Sequence, residues 1–365
     1  MLIIGTYADG VALQSLNASK IADLTAFLDV VAPAHVGIHL LPFYPTSGDG
    51  GFAIDDWFSV RSDLGSWTDI EVLASARKLI VDGVYNHVGI GHEWMRRFLA
   101  SPDLATDMLH AYRTDDATQG PMSPRGQPVL CRYDIAGQAW HVWQTFTDTA
   151  VDIRLDNQVV IGAIDQHLRM LSQNGVWGVR LDAVAYYSKF LGGQIRHNPG
   201  VYEIANNLAM TIERYGMHVF AQVDSDEDGI RYFRRKSQSH YVINDFTYSA
   251  YLALAILTGD PAPLARHLAR TASVPKICLR SPRNHDGLLL RSGLLAPLDR
   301  QRLIEAAAEY GIGARLSGGV PYELNCSAPF LYAQSNGRHR LSDVIELAVA
   351  ITGMTHGGLF TGAGE

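Results

Sequence analysis

Four short apolar runs each end in polar residues of the types that carry out nucleophilic or acid–base chemistry. Val81–Val84 leads into Tyr85-Asn86-His87, and Gly178-Val-Arg180-Leu-Asp182 carries an arginine and an aspartate two residues apart. Phe220-Ala-Gln222-Val-Asp224 places an amide and a carboxylate at a third end, and Arg283-Asn-His285-Asp286 supplies an imidazole and a carboxylate at a fourth. A carboxylate serves as nucleophile or base, and an imidazole as donor or acid. An arginine two residues from an aspartate on one strand shares its face and holds it ionised. Each residue also has a plain alternative. A lone Asp at a strand end caps the next helix, a lone His satisfies itself at a rim, and an Arg-x-Asp pair forms a structural ion pair. The joint occurrence of all four ends argues for a site.

The elements that must position these residues alternate between apolar runs and helical-period segments, the βαβ pattern of a parallel sheet. Strands are predicted at Leu2–Thr6, Val36–Leu41, Leu79–Val84, Val176–Leu181, His218–Val223, Tyr241–Ile243, Lys276–Leu279 and about Gly358–Phe360. Helical faces are marked by Ile21, Leu24, Leu28 and Val31, by Ile161, Ile164, Leu168 and Leu171, and by residues near Val201–Tyr215 and Leu341–Ile351. Eight strands predict an α/β fold, a (β/α)8 TIM barrel, whose catalytic groups lie at the C-terminal strand ends. The expected division is a barrel of 1–87 and 150–365 with a subdomain of 88–149 inserted after strand three. The C-terminus is expected to be abbreviated, without a last helix or a further β domain. The stretch Asp299–Tyr310, with Leu303, Ile304, Ala307 and Ala308 on one side, is a candidate cover for the bare last strand, and a homodimer over that gap is the rival.

A net charge of -7 argues against nucleic acid as partner, and the basic run Arg231–Lys236 reads as a solvated helix face. The three cysteines, Cys131, Cys278 and Cys326, form no CxxC pair, so neither a zinc site nor a disulfide framework is indicated. With no signal-like leader and no run of about 18 apolar residues, the expected location is the cytoplasm, away from any membrane. No catalytic lysine stands at a strand end, which argues against an aldolase-type barrel.

The set DGVYNH (82–87), GVRLDA (178–183) and NHDG (284–287) resembles the signature regions of the α-amylase superfamily of glycoside hydrolases, family 13. The stretches Tyr7–Asp9, HLLPFYPTSGDGGFAIDD (39–56), LGSWTDI (64–70), MSPRGQPVL (122–130), VWQTFTDTAVDIRL (142–155) and YELNC (322–326) are similar to the sucrose-phosphorylase-like branch, and more distantly to amylosucrases. The resemblance implies a retaining enzyme acting on small α-glucosides or disaccharides. Asp182 matches the nucleophile that forms a covalent glucosyl-enzyme, and Asp286 the carboxylate that grips the ring diols in the transition state. His87 and His285 match donors to sugar hydroxyls, and Asp49 matches a carboxylate at the far edge of the glucose. Phe52 and Phe146 match aromatic walls, Arg125 a cation for an incoming phosphate, and Tyr322 a further substrate contact. Asn86 matches a position that binds calcium elsewhere in the superfamily, but this branch manages without, so no metal and no cofactor are expected.

One departure bears on mechanism. The family ends strand five in a Glu that acts as acid and then base; here the residue is Gln222. An amide holds no proton to give near neutral pH. The Gln is read as an engineered replacement that traps sugar, as a natural loss leaving a sugar-binding or regulatory protein, or as a change compensated by Asp224, Asp226 or Glu227. Whether water, phosphate or another alcohol accepts the glucosyl group stays open.

Overall fold

The computed structural model describes residues 2–11, 19–113, 120–124, 126–223, 241–272, 278–283, 287–290, 295–317, 319–324 and 358–362. They divide into two compact units, one running Thr6–Gln222 and the other taking Met1–Gly5 and Tyr241–Glu365.

The first unit is built on a four-stranded parallel sheet in the order Gly37–Leu40, Leu79–Gly83, Gly178–Leu181, His218–Ala221. These strands are short aliphatic runs buried on both faces, as a parallel sheet under helices requires. Most helices described in this unit start at side-chain caps. Ser19 accepts from Ala22 N ahead of Lys20–Val31, and Asn157 accepts from Val159 and Val160 N ahead of Gln158–Gln173. Ser66 and Asp69 close a reciprocal capping box on Trp67–Ala76. Ile21, Leu24 and Leu28 face the core, while Val31 in the last turn is 53% exposed. Ile164, Leu168 and Leu171 are likewise buried, but Ile161 is on the solvent side. The helix face is therefore one residue narrower at one end in each case than its apolar pattern suggests.

Register decides what the strand ends present. Asp82 pairs with Arg180 and Gly83 with Leu181, while Phe220 pairs with Arg180 and Ala221 with Leu181. One step further, Gln222 N donates to Leu181 O at 3.0 Å, and Asp182 N donates to Gly83 O at 3.2 Å. The polar ends of three consecutive strands thus stand at one level.

Beyond Asn86 the chain leaves this sheet along His87–Gly89 and returns along Ala150–Asp152, the two stretches pairing antiparallel with His87 opposite Asp152. Between them lies an antiparallel sheet of Ala111–Tyr112, Gln138–Trp143 and Leu130–Ile135. Gly89 is required at this exit. A Cβ there would lie 2.1 Å from Asp55 Oδ1 and 2.4 Å from the Ala53 carbonyl oxygen, so the strand presses directly on the backbone of the 47–55 loop.

The second unit also holds four parallel strands, in the order Leu2–Thr6, Gly358–Gly362, Cys278–Arg283, Tyr241–Asn244. The strand expected at Lys276–Leu279 thus runs on to Arg283, with 273–277 outside the described residues. The helices Phe246–Thr258 and Ala262–Ala272 were not legible as such in the sequence. In the first, Tyr248, Ala250, Tyr251, Leu252, Ala253 and Leu254 are all buried, and a helix covered on every side carries no apolar stripe. Pro297–Ala308 is helical as expected, with Leu303 and Ala307 buried in one cluster with Tyr251 and Leu254. Its apolar side serves this helix packing, and Ala308 is exposed. The expected helix at Leu341–Ile351 lies outside the described residues. Among the described residues, no helix is long and apolar enough to cross a membrane.

Candidate active site

Arg180 is the centre of the site in the first unit. Its Nη1 donates to Asp182 Oδ1 at 3.1 Å and, in a very short contact, to Asp82 Oδ1, while Nη2 donates to Gln222 Oε1 at 2.6 Å. A rigid, forked guanidinium suits such a task, because its donors leave in fixed directions. Asp182 and Gln222, ends of neighbouring strands, are therefore held by the two arms of one cation. Asp82 is fully enclosed and also takes His39 Nε2 at 2.9 Å on its second oxygen. Two carboxylates face one guanidinium here, so the cluster favours positive charge developing nearby. The amide oxygen of Gln222 also accepts from Ala183 N at 3.4 Å, and Ala183 has a left-handed φ of 52°, turning the chain just past Asp182.

His87 is set by a second network. Lys189 is completely buried; its Nζ donates to Asn86 Oδ1 at 2.7 Å and Tyr186 O at 2.6 Å, and pairs with Asp152 Oδ2 at 3.1 Å. Burial lowers the lysine's pKa, and the Asp152 carboxylate works against that. An ammonium only donates, so Asn86 must turn its oxygen to Lys189 and its Nδ2 toward Asp152 Oδ2 at 3.1 Å and His87 Nδ1 at 3.2 Å. His87 Nδ1 is then an acceptor and the ring proton sits on Nε2. That Nε2 is buried without a hydrogen-bond partner. Desolvation lowers the His87 pKa, with Asp152, Asp49 and the Phe52 backbone opposing and Lys189 assisting. The result is a neutral imidazole whose one N–H donor, beside the Phe52 backbone, makes no well-formed hydrogen bond. Buried donors of this kind are rare in folded proteins and point to a ligand.

Phe146 lies edge-on to His87 with ring centroids 5.4 Å apart, and to Tyr186 at 5.0 Å. Phe52 is buried and follows directly on the turn Asp49–Gly51, in which Asp49 has a φ of 54°. Asp49 is half-buried and close enough to His87 to act on its charge. The structure thus groups Arg180, Asp182 and Gln222 in one cluster and Asp49, His87 and Phe146 in another, both within the first unit. Tyr322 belongs to the second unit, on strand Val320–Leu324. There its carbonyl accepts from Leu290 N at 2.8 Å, and Glu323 Oε1 accepts from Gly287 N at 2.7 Å, so Gly287 adjoins the strand that carries Tyr322 and Glu323. Gly287 is needed at that point because a Cβ would lie 2.2 Å from the Leu324 carbonyl oxygen. Arg125, His285 and Asp286 lie outside the described residues, as do Asp224, Asp226 and Glu227.

Four participants were not singled out in the sequence. Asp82 lay inside DGVYNH unremarked, although strand parity with Arg180 on the next strand signals it. His39, Asp152 and Lys189 gave no signal, because their value depends on contacts 43, 66 and 103 residues away in the chain. Asn86, weighed as a calcium ligand, has its amide oxygen on Lys189.

Residues 34–244 match the family described as "Alpha amylase, catalytic domain". The chain is 28% identical over 311 residues to a glucosylglycerate phosphorylase of Allomeiothermus silvanus, covering 79% of this chain and 54% of the relative. It is 27% identical over 361 residues to a sucrose phosphorylase of Agrobacterium vitis, covering 88% of this chain and 70% of that one. A crystal structure of sucrose 6F-phosphate phosphorylase from Thermoanaerobacter thermosaccharolyticum superposes with a TM-score of 0.84 at 22% identity, over 99% of this chain and 75% of the other. The chain spans little more than half the length of the glucosylglycerate phosphorylases it matches, 54% and 57% in two of them. The superposition shows the fold to be an α/β (β/α)8 barrel, and the family match covers more than half of the sequence. The chain therefore belongs to the α-amylase catalytic-domain family of glycoside hydrolases and their phosphorylase relatives.

Proposed function

We propose that this chain is the glucosyl-handling domain of a retaining α-glucoside phosphorylase or transglucosylase, acting on sucrose-like small glucosides. The observation that carries the reading is the single guanidinium of Arg180 held against both Asp182 and Gln222. In this reading the Asp182 carboxylate attacks the anomeric carbon, and the bond to the aglycone breaks as a β-glucosyl ester forms. A second attack from the opposite side then regenerates the carboxylate and restores the α configuration. Asp82 and the reacting Asp182, in excess over Arg180, stabilise the oxocarbenium-like charge in the transition state of each step. The Nε2–H of His87 donates to a sugar hydroxyl, and Phe146 and Phe52 cover apolar ring faces. Asp286 and His285 complete the grip on the ring and Arg125 receives phosphate. Two relatives named for phosphorolysis, of glucosylglycerate and of sucrose, support phosphate as the acceptor.

A second reading, a sugar-binding protein without turnover, is favoured by the amide at Gln222. The experiment that separates the two is Gln222→Glu, incubated with phosphate and either sucrose or glucosylglycerate. Release of α-glucose 1-phosphate supports the enzyme. Glucose binding without any turnover in that variant supports the binding protein.

A further inference from the structure

We infer that the site as this chain carries it, with Gln222 in place of an acid, transfers glucosyl groups only between partners that need no proton. The donor is a glucoside whose leaving group departs as a stable anion, such as fluoride or phosphate. The acceptor attacks as an anion, such as azide, phosphate or a carboxylate. The inference rests on the retaining reading above and narrows its substrates.

The argument starts from the orientation of the amide. Gln222 Oε1 accepts from Arg180 Nη2 at 2.6 Å and from Ala183 N at 3.4 Å. Its NH2 group is therefore the end left to donate, and an amide neither releases nor takes up a proton near neutral pH. Other proton sources among the described residues of the site fail for separate reasons. Asp82 is enclosed between Arg180 and His39. The Lys189 ammonium is directed at Asn86, the Tyr186 carbonyl and Asp152. His87 offers an N–H of a neutral imidazole, which hydrogen-bonds but does not act as an acid.

Chemistry that needs no proton is left intact. In the first step a carboxylate oxygen of Asp182 bonds to C1, and the C1–fluorine bond, or the C1–O bond of the glucosyl phosphate monoanion, breaks with its electron pair to release fluoride or hydrogen phosphate. In the second the anionic acceptor bonds to C1, the ester C1–O bond breaks, and Asp182 regains its charge. No proton moves in either step. The amide also assists the second step: an ionised carboxylate at this position would repel an incoming anion at close range, whereas an NH2 group donates to it. An alcohol leaving group such as the fructose of sucrose lacks this route and loses the acid's contribution, about 10²–10⁴-fold.

The test uses the unaltered chain with α-glucosyl fluoride, with and without sodium azide or phosphate, and in parallel with sucrose and phosphate. The expected result is fluoride release accelerated at least about 10-fold by azide, with α-glucosyl azide formed, and sucrose turned over at least about 10²-fold more slowly than the fluoride. Asp182→Asn abolishes the transfer, and Gln222→Glu gains sucrose turnover while losing the azide effect. Sucrose cleavage by the unaltered chain at a rate near that of the fluoride overturns the inference, since some other group then supplies the proton. Fluoride release that is absent, or indifferent to azide, overturns it as well. If Gln222→Glu cleaves sucrose in that case, the retaining reading stands and only the anion-to-anion specificity fails. If neither form cleaves anything, both fall.

Discussion

Lys189 acts at a distance from any sugar, through the amide it orients. With its ammonium gone, Asn86 is free to flip, and the Asp152 carboxylate stays buried on Thr145 N, Thr145 Oγ1 and Asn86 alone. Breaking one side of a buried ion pair leaves an uncompensated charge, so Lys189→Met is expected to lower stability by about 3–5 kcal/mol. Asp152→Asn added to that change is expected to recover part of the loss, and urea unfolding of the single and double variants measures both. The ring proton of His87, followed by 15N shifts of labelled histidine, is expected to lose its fixed place on Nε2. The proposed role of Asp182 is tested once an acid is present. In a Gln222→Glu background, Asp182→Asn is expected to leave less than about 1% of turnover with glucose binding nearly unchanged, because covalent catalysis has no second route of similar height. The strand-end residues Arg180, Asp182 and Gln222 were legible in the sequence, because a polar residue that closes an aliphatic run stands out locally. Lys189 was not, since a lysine in a Gly-rich loop reads as solvated until its three partners are assembled around it.

At the scale of the element, the two ways of covering a helix explain what was readable. Gln158–Gln173 buries Val160, Ile164, Leu168 and Leu171 on one side, and that periodicity survives in the letters. Phe246–Thr258 is covered all round, and only its ends mark it: Asp245 Oδ1 accepts from Tyr248 N at 3.1 Å, and Gly259 ends it at a φ of 67°. Burial raises the Asp245 carboxyl, but its contacts with His267 at 2.9 Å and Arg280 at 3.4 Å and the Tyr248 N–H outweigh that and hold it below the usual range. Asp245→Asn keeps the cap but removes the charge, and is expected to cost more than the few tenths of a kcal/mol of a cap exchange alone. Thermal unfolding compared with Asp245→Ser, which keeps a cap but neither pairing, checks the attribution: similar losses identify the pairing as the larger part. Gly89→Ala tests the other crowded element. The new methyl meets the Ala53 carbonyl as well as the Asp55 side chain, so the 47–55 loop must move and glucose affinity is expected to fall at least about 10-fold.

The molecule as a whole carries several histidines that stay neutral when folded. Burial depresses His167 to about 3, where it sits between Tyr44 Oη at 3.1 Å and Tyr85 Oη at 2.9 Å; His110 is also brought to about 3 and His92 to about 4. An unfolded histidine titrates near 6.5. Between that value and the folded one the unfolded chain binds more protons, so stability is fully present above about pH 6.5 and falls as the pH drops toward 4. Each such group steepens the fall by up to about 1.4 kcal/mol per pH unit. His167→Gln is expected to be less stable at pH 7 yet to lose less on going to pH 5, which urea midpoints at the two values compare. Protonation of the unfolded state cannot be read from an apolar pattern, nor can the burial of a single helical histidine.

The narrow neck formed by His87–Gly89 and Ala150–Asp152 separates two kinds of heritable information. Everything between residues 90 and 149 enters and leaves through a gap one antiparallel pair wide, while the carboxylate, guanidinium and amide sit on strands outside it. A recombination that exchanges this stretch, keeping Thr145 for its bond to Asp152 and Phe146 for its contact with His87, and matching the Leu191 and Ile195 side chains that pack on the cluster of Val129, Leu130 and Trp143, leaves His87, Arg180, Asp182 and Gln222 in their own sequence context. On the proposed function, preference for the departing or incoming partner can then be shuffled in a library as a cassette, while the proposed catalytic groups stay fixed on the scaffold.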